Sequence, residues 1–219
     1  MANLKLDNHE HSLFRNAADT ANEANEDVDL TDWSTSDKLI LVIQITGGAA
    51  CNKITDAGVL KLQYSLDGST GWTDVATDAD IEPAACVDVS GLTDGAAVSA
   101  ERCSTSPALC SGTFETSGQQ ACGDATADSF AIGTAEGWTE CWFGIDPANA
   151  TAGQTYYFRL YNVTESTACT NEALTQAYVP SQLTIASVVP TQKTVTGSAR
   201  MASSVLRKFM AKRTVQGEI

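Results

Sequence analysis

The chain has 219 residues and a formal net charge of -14, enough length for one large or two small domains with a sizeable core. So acidic a balance argues against a nucleic-acid-binding body, because phosphate contacts need clustered Lys and Arg. The imbalance is uneven: from Ser187 onward six basic residues face one acid, so this tail carries +5 and residues 1–186 carry -19 of the total of -14.

In chain order, residues 1–11 are polar and read as an extended arm. They lack the apolar run of a signal peptide, and no later stretch approaches a membrane span, so synthesis in a cytoplasm is the expectation. The triplet His9-Glu10-His11 has half the makings of a metal site, but with no third ligand close in sequence it reads as solvated. Ser12 to Arg15 suggests an edge strand, and Asn16 to Asp32 a wrapping loop. Lys38 to Thr46, KLILVIQIT, is the most apolar run; it is β-branched and too short for a membrane helix, so it predicts a central strand with Leu39, Leu41, Ile43 and Ile45 inward. A small-residue loop with Cys51 follows.

Val59 to Ser65 alternates, burying Leu60, Leu62 and Tyr64 and turning Lys61 and Gln63 out. Asp67-Gly68 and Gly71 mark a turn, and Trp72 to Val75 returns as a short strand, so LQYSLDGSTGWTDV reads as a hairpin. Residues 76–137 are dominated by Ala, Ser, Thr, Gly and Asp and hold four of the seven cysteines; such a composition supplies no independent core and predicts an insertion stapled by disulfides. Thr139 to Ile145 resumes the strand pattern with Cys141, Phe143 and Ile145 on one face. Behind the turn Ala152-Gly153, the stretch TYYFRLYN puts Tyr156, Phe158 and Leu160 on one face and Tyr157, Arg159 and Tyr161 on the other, the period of two of a half-buried strand. Leu174 to Tyr178 and Gln182 to Ala186, split by Pro180, suit an edge strand. The predicted class is all-β: a sandwich domain over residues 1–186, with its first strands in 12–46 and the insertion at 76–137.

In the basic arm, residues 187–219, Met201, Ala202, Val205, Leu206, Phe209 and Met210 recur at helical spacing, with Arg200, Arg207 and Lys208 on the other side. The predicted amphipathic helix has an apolar face with no obvious groove in a complete sandwich. Met201, Val205, Leu206 and Phe209, with Arg207, Lys208 and Lys212, are therefore the candidate partner-binding residues. A neighbouring subunit, a membrane surface and the acidic body itself are the readings the pattern leaves open, of which the subunit contact is preferred.

No hydrolase-elbow, zinc-protease, Walker or dinucleotide signature is present, and both histidines lie in the N-terminal arm, so no enzymatic activity and no cofactor are expected. Acidic pairs such as Asp78 and Asp80, or Asp124 and Asp128, do not follow an EF-hand order and read as a solvated surface. Two Asn-X-Thr triplets, at Asn149 and Asn162, match the glycosylation pattern and are taken as chance occurrences. Seven cysteines are many for a reducing compartment, and no CxxC occurs. Synthesis inside a cell followed by exposure to oxidising surroundings would reconcile the two.

Taken together, LILVIQI, LQYSLDGSTGWTDV, SGLTDGAA at Ser90 to Ala97, ECWFGI and AGQTYYFRLYN resemble structural proteins of tailed bacteriophages that carry an immunoglobulin-like or fibronectin type III-like sandwich. The resemblance covers about residues 14–186 and departs at the cysteine-rich insertion and the basic arm. It implies about seven strands, with Tyr156 as the corner tyrosine that pins strand to turn. Loops holding Cys51 and Cys169 would cluster at one end of such a sandwich, which makes a Cys51–Cys169 bridge plausible. Cys86, Cys103, Cys110 and Cys122 all fall in the insertion and have the number for two further bridges in any of three connectivities, with Cys141 pointing inward as a buried thiol; the alternative is that all seven are reduced. The implied role is a decorating or cementing virion protein whose partners are other virion proteins or copies of itself in a symmetric homo-oligomeric assembly, with neither nucleic acid nor membrane as partner. The alternative is a cell-surface adhesion or glycan-binding module that uses Tyr157 and Tyr161.

Overall fold

The computed structural model describes residues 8–47, 53–54, 58–107, 110–164, 167–168 and 182–187, all within the first of the two units, 1–188 and 189–219, into which the chain divides. No helix occurs among the described residues. The strands are β1 (Asn8–Asn16), β2 (Leu30–Trp33), β3 (Leu39–Thr46), β4 (Leu60–Ser65), β5 (Thr73–Asp74), β6 (Glu82–Pro83), β7 (Gln120–Ala121), β8 (Trp138–Asp146), β9 (Thr155–Asn162), β10 (Thr167–Ala168) and β11 (Gln182–Ile185). One sheet runs β1-β3-β8-β6, with β7 also on β8; the other runs β2-β11-β9-β4-β5, with β10 also on β9.

The two sheets make a β-sandwich, and the alternation of their long strands explains why. Leu39, Leu41, Ile43 and Ile45 of β3 and Cys141, Phe143 and Ile145 of β8 share one buried cluster with Leu60, Leu62 and Tyr64 of β4 and Tyr156, Phe158 and Leu160 of β9. Register follows from that pattern, since a slip of one residue would turn every inward side chain outward. Leu39 pairs with Ile145 and Thr46 with Trp138 along the whole β3–β8 ladder.

Three expectations are corrected here. The first strand is longer than Ser12 to Arg15, and the loop behind it folds back along it, with the N–H groups of Glu23 and Asp27 donating to the carbonyls of Phe14 and Ser12 at 2.9 Å each. The last strand is not an edge: β11 lies between β9 and the unforeseen β2, to which it is parallel. The expected strand at Leu174 to Tyr178 lies outside the described residues.

The third correction concerns the insertion. Its apolar residues do lack an independent core, but they borrow one. Ala84, Val89, Leu92, Val98 and Cys103 pack on Leu13, Ile40, Val42 and Trp142, which project from the back of the first sheet. Ile40 and Val42 are fully buried in consequence, so β3 is apolar on both faces and reads as one continuous hydrophobic run. The insertion is thus a third layer over the sandwich. Gly118 permits its closest approach, because a Cβ there would overlap the Glu140 carbonyl.

Candidate interaction surface

The outer face of the second sheet carries the residues that strand alternation turns away from the core. Lys61 and Gln63 of β4 stand opposite Tyr161 and Arg159 of β9. The Lys61 ammonium lies 5.0 Å from the centre of the Tyr161 ring and 2.5 Å from Asp74 Oδ2. Gln63 donates to Asp74 Oδ1 at 2.7 Å and accepts from Arg159 Nε at 2.8 Å. The Arg159 guanidinium sits 4.2 Å from the centre of the Trp72 ring, a distance at which cation and ring attract. Gln63, expected outward, is turned outward but covered, being only 7% exposed.

Trp72 is delivered by the β4–β5 turn. Asp67 there accepts hydrogen bonds from the Ser69 and Thr70 amides at 2.8 and 2.7 Å and from the Thr70 hydroxyl at 2.6 Å. Those bonds, the Thr70 hydroxyl foremost, hold its carboxyl far below the usual range. Gly68, at φ +70°, lies against the Tyr157 ring, where a side chain would both clash and strain the backbone. Beside the hairpin, Tyr64, Trp72, Asp74, Asp78 and Asp80 line an open groove of about 680 Å³.

Tyr156 fastens the end of the sandwich near that groove. Its hydroxyl accepts the Thr151 N–H at 2.9 Å, five residues upstream, and donates to Asp80 Oδ2 at 3.1 Å. Burial pushes the phenol up from its ordinary 10.0. The Tyr64 ring meets the Tyr156 ring edge-on at 5.6 Å, and its hydroxyl accepts the Asp80 N–H at 3.2 Å.

A polar fastening that sequence reading missed lies under the insertion. Glu140 of β8 is completely buried. Its Oε1 accepts the backbone N–H groups of Arg102 and Cys103 at 2.8 and 2.7 Å, and its Oε2 accepts the Trp142 indole N–H at 2.7 Å. Burial raises its pKa above the ordinary 4.5 despite those bonds. The Arg102 guanidinium lies 4.7 Å from the centre of the Trp142 ring and donates to Asp19 at 2.6 Å, and Asp19 also pairs with Arg15. The available signal was the lone acid inside the apolar strand WTECWFGI, since a charge at such a position needs fixed partners.

Of the disulfide candidates, Cys86 and Cys122 are bonded to each other, with Cα atoms 5.3 Å apart, and Cys110 is disulfide-bonded. Cys103 is not: it is a buried thiol, as Cys141 is. It sits in the cluster beneath the insertion, where burial and then the neighbouring Glu140 carboxylate push its pKa well above 9.0. Cys51 and Cys169 lie outside the described residues, as do Met201, Val205, Leu206, Arg207, Lys208, Phe209 and Lys212 of the expected docking helix. Comparison with protein-family models, curated proteins and solved structures finds no match for this chain.

Proposed function

We propose that the chain is an immunoglobulin-like subunit of a tailed-bacteriophage particle: a non-enzymatic virion structural protein that decorates or cements the particle through contacts with other virion proteins or with its own copies. The observation that carries this reading is the strand order. β1-β3-β8-β6 and β11-β9-β4-β5 follow the A-B-E-D and G-F-C-C′ order of immunoglobulin-type sandwiches. Tyr156, bonded five residues back to Thr151, has the geometry of that fold's corner tyrosine. The opposed charges, -19 on residues 1–186 against +5 on the rest, favour subunit contact, because a basic arm is drawn to an acidic neighbour at long range. In this reading residues 198–213 form the docking helix.

Deleting Ser198 to Ile219 tests it. The truncated protein is expected to keep its β-type circular dichroism and to stop cosedimenting with its particle. Incorporation at full occupancy would refute the docking arm. A second reading, a glycan-binding module, is favoured by Trp72, Tyr157 and Tyr161, which lie about the open sheet face. Binding of the isolated monomer to a glycan array, lost in Trp72→Ala, would select it instead.

A further inference from the structure

Beside β1, two adjacent carboxylates of the loop behind it converge on one nitrogen atom. The β1–β3 ladder slips between His9, which stands opposite Ile45, and Ser12, which stands opposite Ile43. An extra residue of this kind bends a strand and re-aims a side chain. His11 lies within the slip, and its Nδ1 is 2.5 Å from Asp27 Oδ2 and 3.6 Å from Glu26 Oε1. One ligand atom from each of the three lies within 4.8 Å of the others.

Both carboxylates are braced from behind. Asp27 Oδ1 accepts the Ser12 N–H at 2.9 Å. Glu26 Oε2 accepts the N–H and the hydroxyl of Ser104 at 2.5 and 2.9 Å, and the Thr105 N–H lies 3.2 Å from Oε1. Such outer partners orient ligating carboxylates. A ring nitrogen, however, carries at most one proton, and a proton shared with Asp27 Oδ2 at 2.5 Å cannot also serve Glu26 Oε1 at 3.6 Å. A bound cation engages both.

We propose that His11, Glu26 and Asp27 form a binding site for a divalent transition-metal ion of the zinc class, ligated by His11 Nδ1 and one oxygen from each carboxylate. Metal–ligand bonds of about 2.0–2.2 Å in tetrahedral geometry put ligand atoms roughly 3.3 Å apart. The Glu26 separation of 3.6 Å is already close to that. Asp27 must swing out by under about 1 Å to reach it, and its side chain is the most open of the three at 41% exposed. The imidazole nitrogen selects against Ca²⁺ and Mg²⁺, which prefer all-oxygen shells. Two carboxylates and a neutral imidazole carry a charge of -2, which the ion cancels. Three protein ligands leave a fourth position for water or a side chain from a partner. The site ties β1 to the loop behind it and, through Ser104 and Thr105, to the insertion. It is independent of the proposed role in a particle.

The test uses the full chain, stripped with a chelator and dialysed. Calorimetric titration with Zn²⁺ is expected to saturate at one ion per chain. His11→Ala and Asp27→Asn should weaken binding at least tenfold, while His9→Ala stays within twofold of wild type. Co²⁺ should give visible absorption of a four-coordinate nitrogen–oxygen site without the intense near-ultraviolet band of thiolate ligation. Zn²⁺ should raise the thermal midpoint of wild type and not that of Asp27→Asn, whose circular dichroism reports folding. Absence of saturable binding, undiminished affinity in both His11→Ala and Asp27→Asn, or a thiolate band would each overturn the proposal.

Discussion

Replacing Glu140 by Gln tests whether one buried carboxylate fastens the insertion to the sheet. The carboxylate satisfies three donors, the N–H groups of Arg102 and Cys103 on one oxygen and the indole of Trp142 on the other. A carboxamide has a single acceptor oxygen, so its NH₂ must face either the indole N–H or both backbone N–H groups. In the better orientation one buried donor is orphaned, which costs about 1–3 kcal/mol. Glu140→Ala orphans all three donors and opens a cavity, for a loss above about 3 kcal/mol. The sign with pH is fixed by the raised pKa. The folded state holds the Glu140 proton more tightly than the unfolded chain does, so the residue's contribution is greatest below the ordinary 4.5 and declines as pH rises through the folded value. The stability gap between wild type and Glu140→Gln should therefore be wider in acid than near neutrality. Urea denaturation reads the gap, and alkylation of the Cys103 thiol under native conditions reads local loosening. Equal stabilities within about 0.5 kcal/mol, with Cys103 equally protected, would refute the fastening.

The inward face of β9 is expected to dominate its energetics: Phe158, 1% exposed and edge-on to Phe14 at 6.2 Å, should cost about 3–5 kcal/mol on truncation to Ala. Arg159→Ala should cost under about 1 kcal/mol, the scale of an exposed cation–ring contact; equal losses in denaturation would contradict the assignment of faces. Reducing the Cys86–Cys122 bridge, which spans 36 residues, should destabilise by up to about 4 kcal/mol by chain entropy, and hydrogen exchange should rise in residues 76–137 before the sandwich melts. Tyr156→Phe leaves the Thr151 N–H without its partner and should cost about 1–3 kcal/mol, read as a lowered thermal midpoint.

The strands that sequence made legible are those with a period of two and a neighbour close along the chain. β4, β8 and β9 show their faces in alternating residues, and β4 finds β5 across one turn. β2 was missed because LTDW has no alternation and its partner β11 lies some 150 residues away, as Leu30 pairing with Leu183 makes plain. The insertion was misjudged for a different reason. Val89, Leu92 and Val98 stand singly in polar surroundings, and alternation consigned Ile40, Val42 and Trp142 to solvent; neither set signals burial until the two are laid together. The inward face of Tyr156 was legible in the alternation of TYYFRLYN. The Trp72–Arg159 contact was not, because a turn residue reaches a strand about 90 positions later, and no local pattern encodes that.

How such a sandwich meets neighbours is constrained by its edges. An open strand edge invites pairing with another chain, and here both sheets limit that. The outer edge of β1 is taken by the loop behind it, through the N–H groups of Asn16, Glu23 and Asp27. At the far side of the second sheet β5 is only two residues long, too short to template a partner. β2, four residues long, carries Asp32 at φ +56°, a left-handed kink that interrupts regular pairing. The back of the first sheet, which would otherwise show a patch of Leu13, Ile40, Val42 and Trp142, is sealed by the insertion, and exposed apolar patches of that kind drive association. Strand addition and back-to-back sheet packing are thus both disfavoured, so the proposed assembly role calls for side-chain contacts, and the open β9–β4–β5 face is the candidate surface to test for them. Charge reversal there should therefore weaken association more than an equal change on the insertion. Lys61→Glu against Lys38→Glu makes the comparison, since Lys61 lies on the open face and Lys38 bridges Asp88 of the insertion and Asp146 of β8. Sedimentation with the assembly would report it, and a greater loss from Lys38→Glu would count against the face.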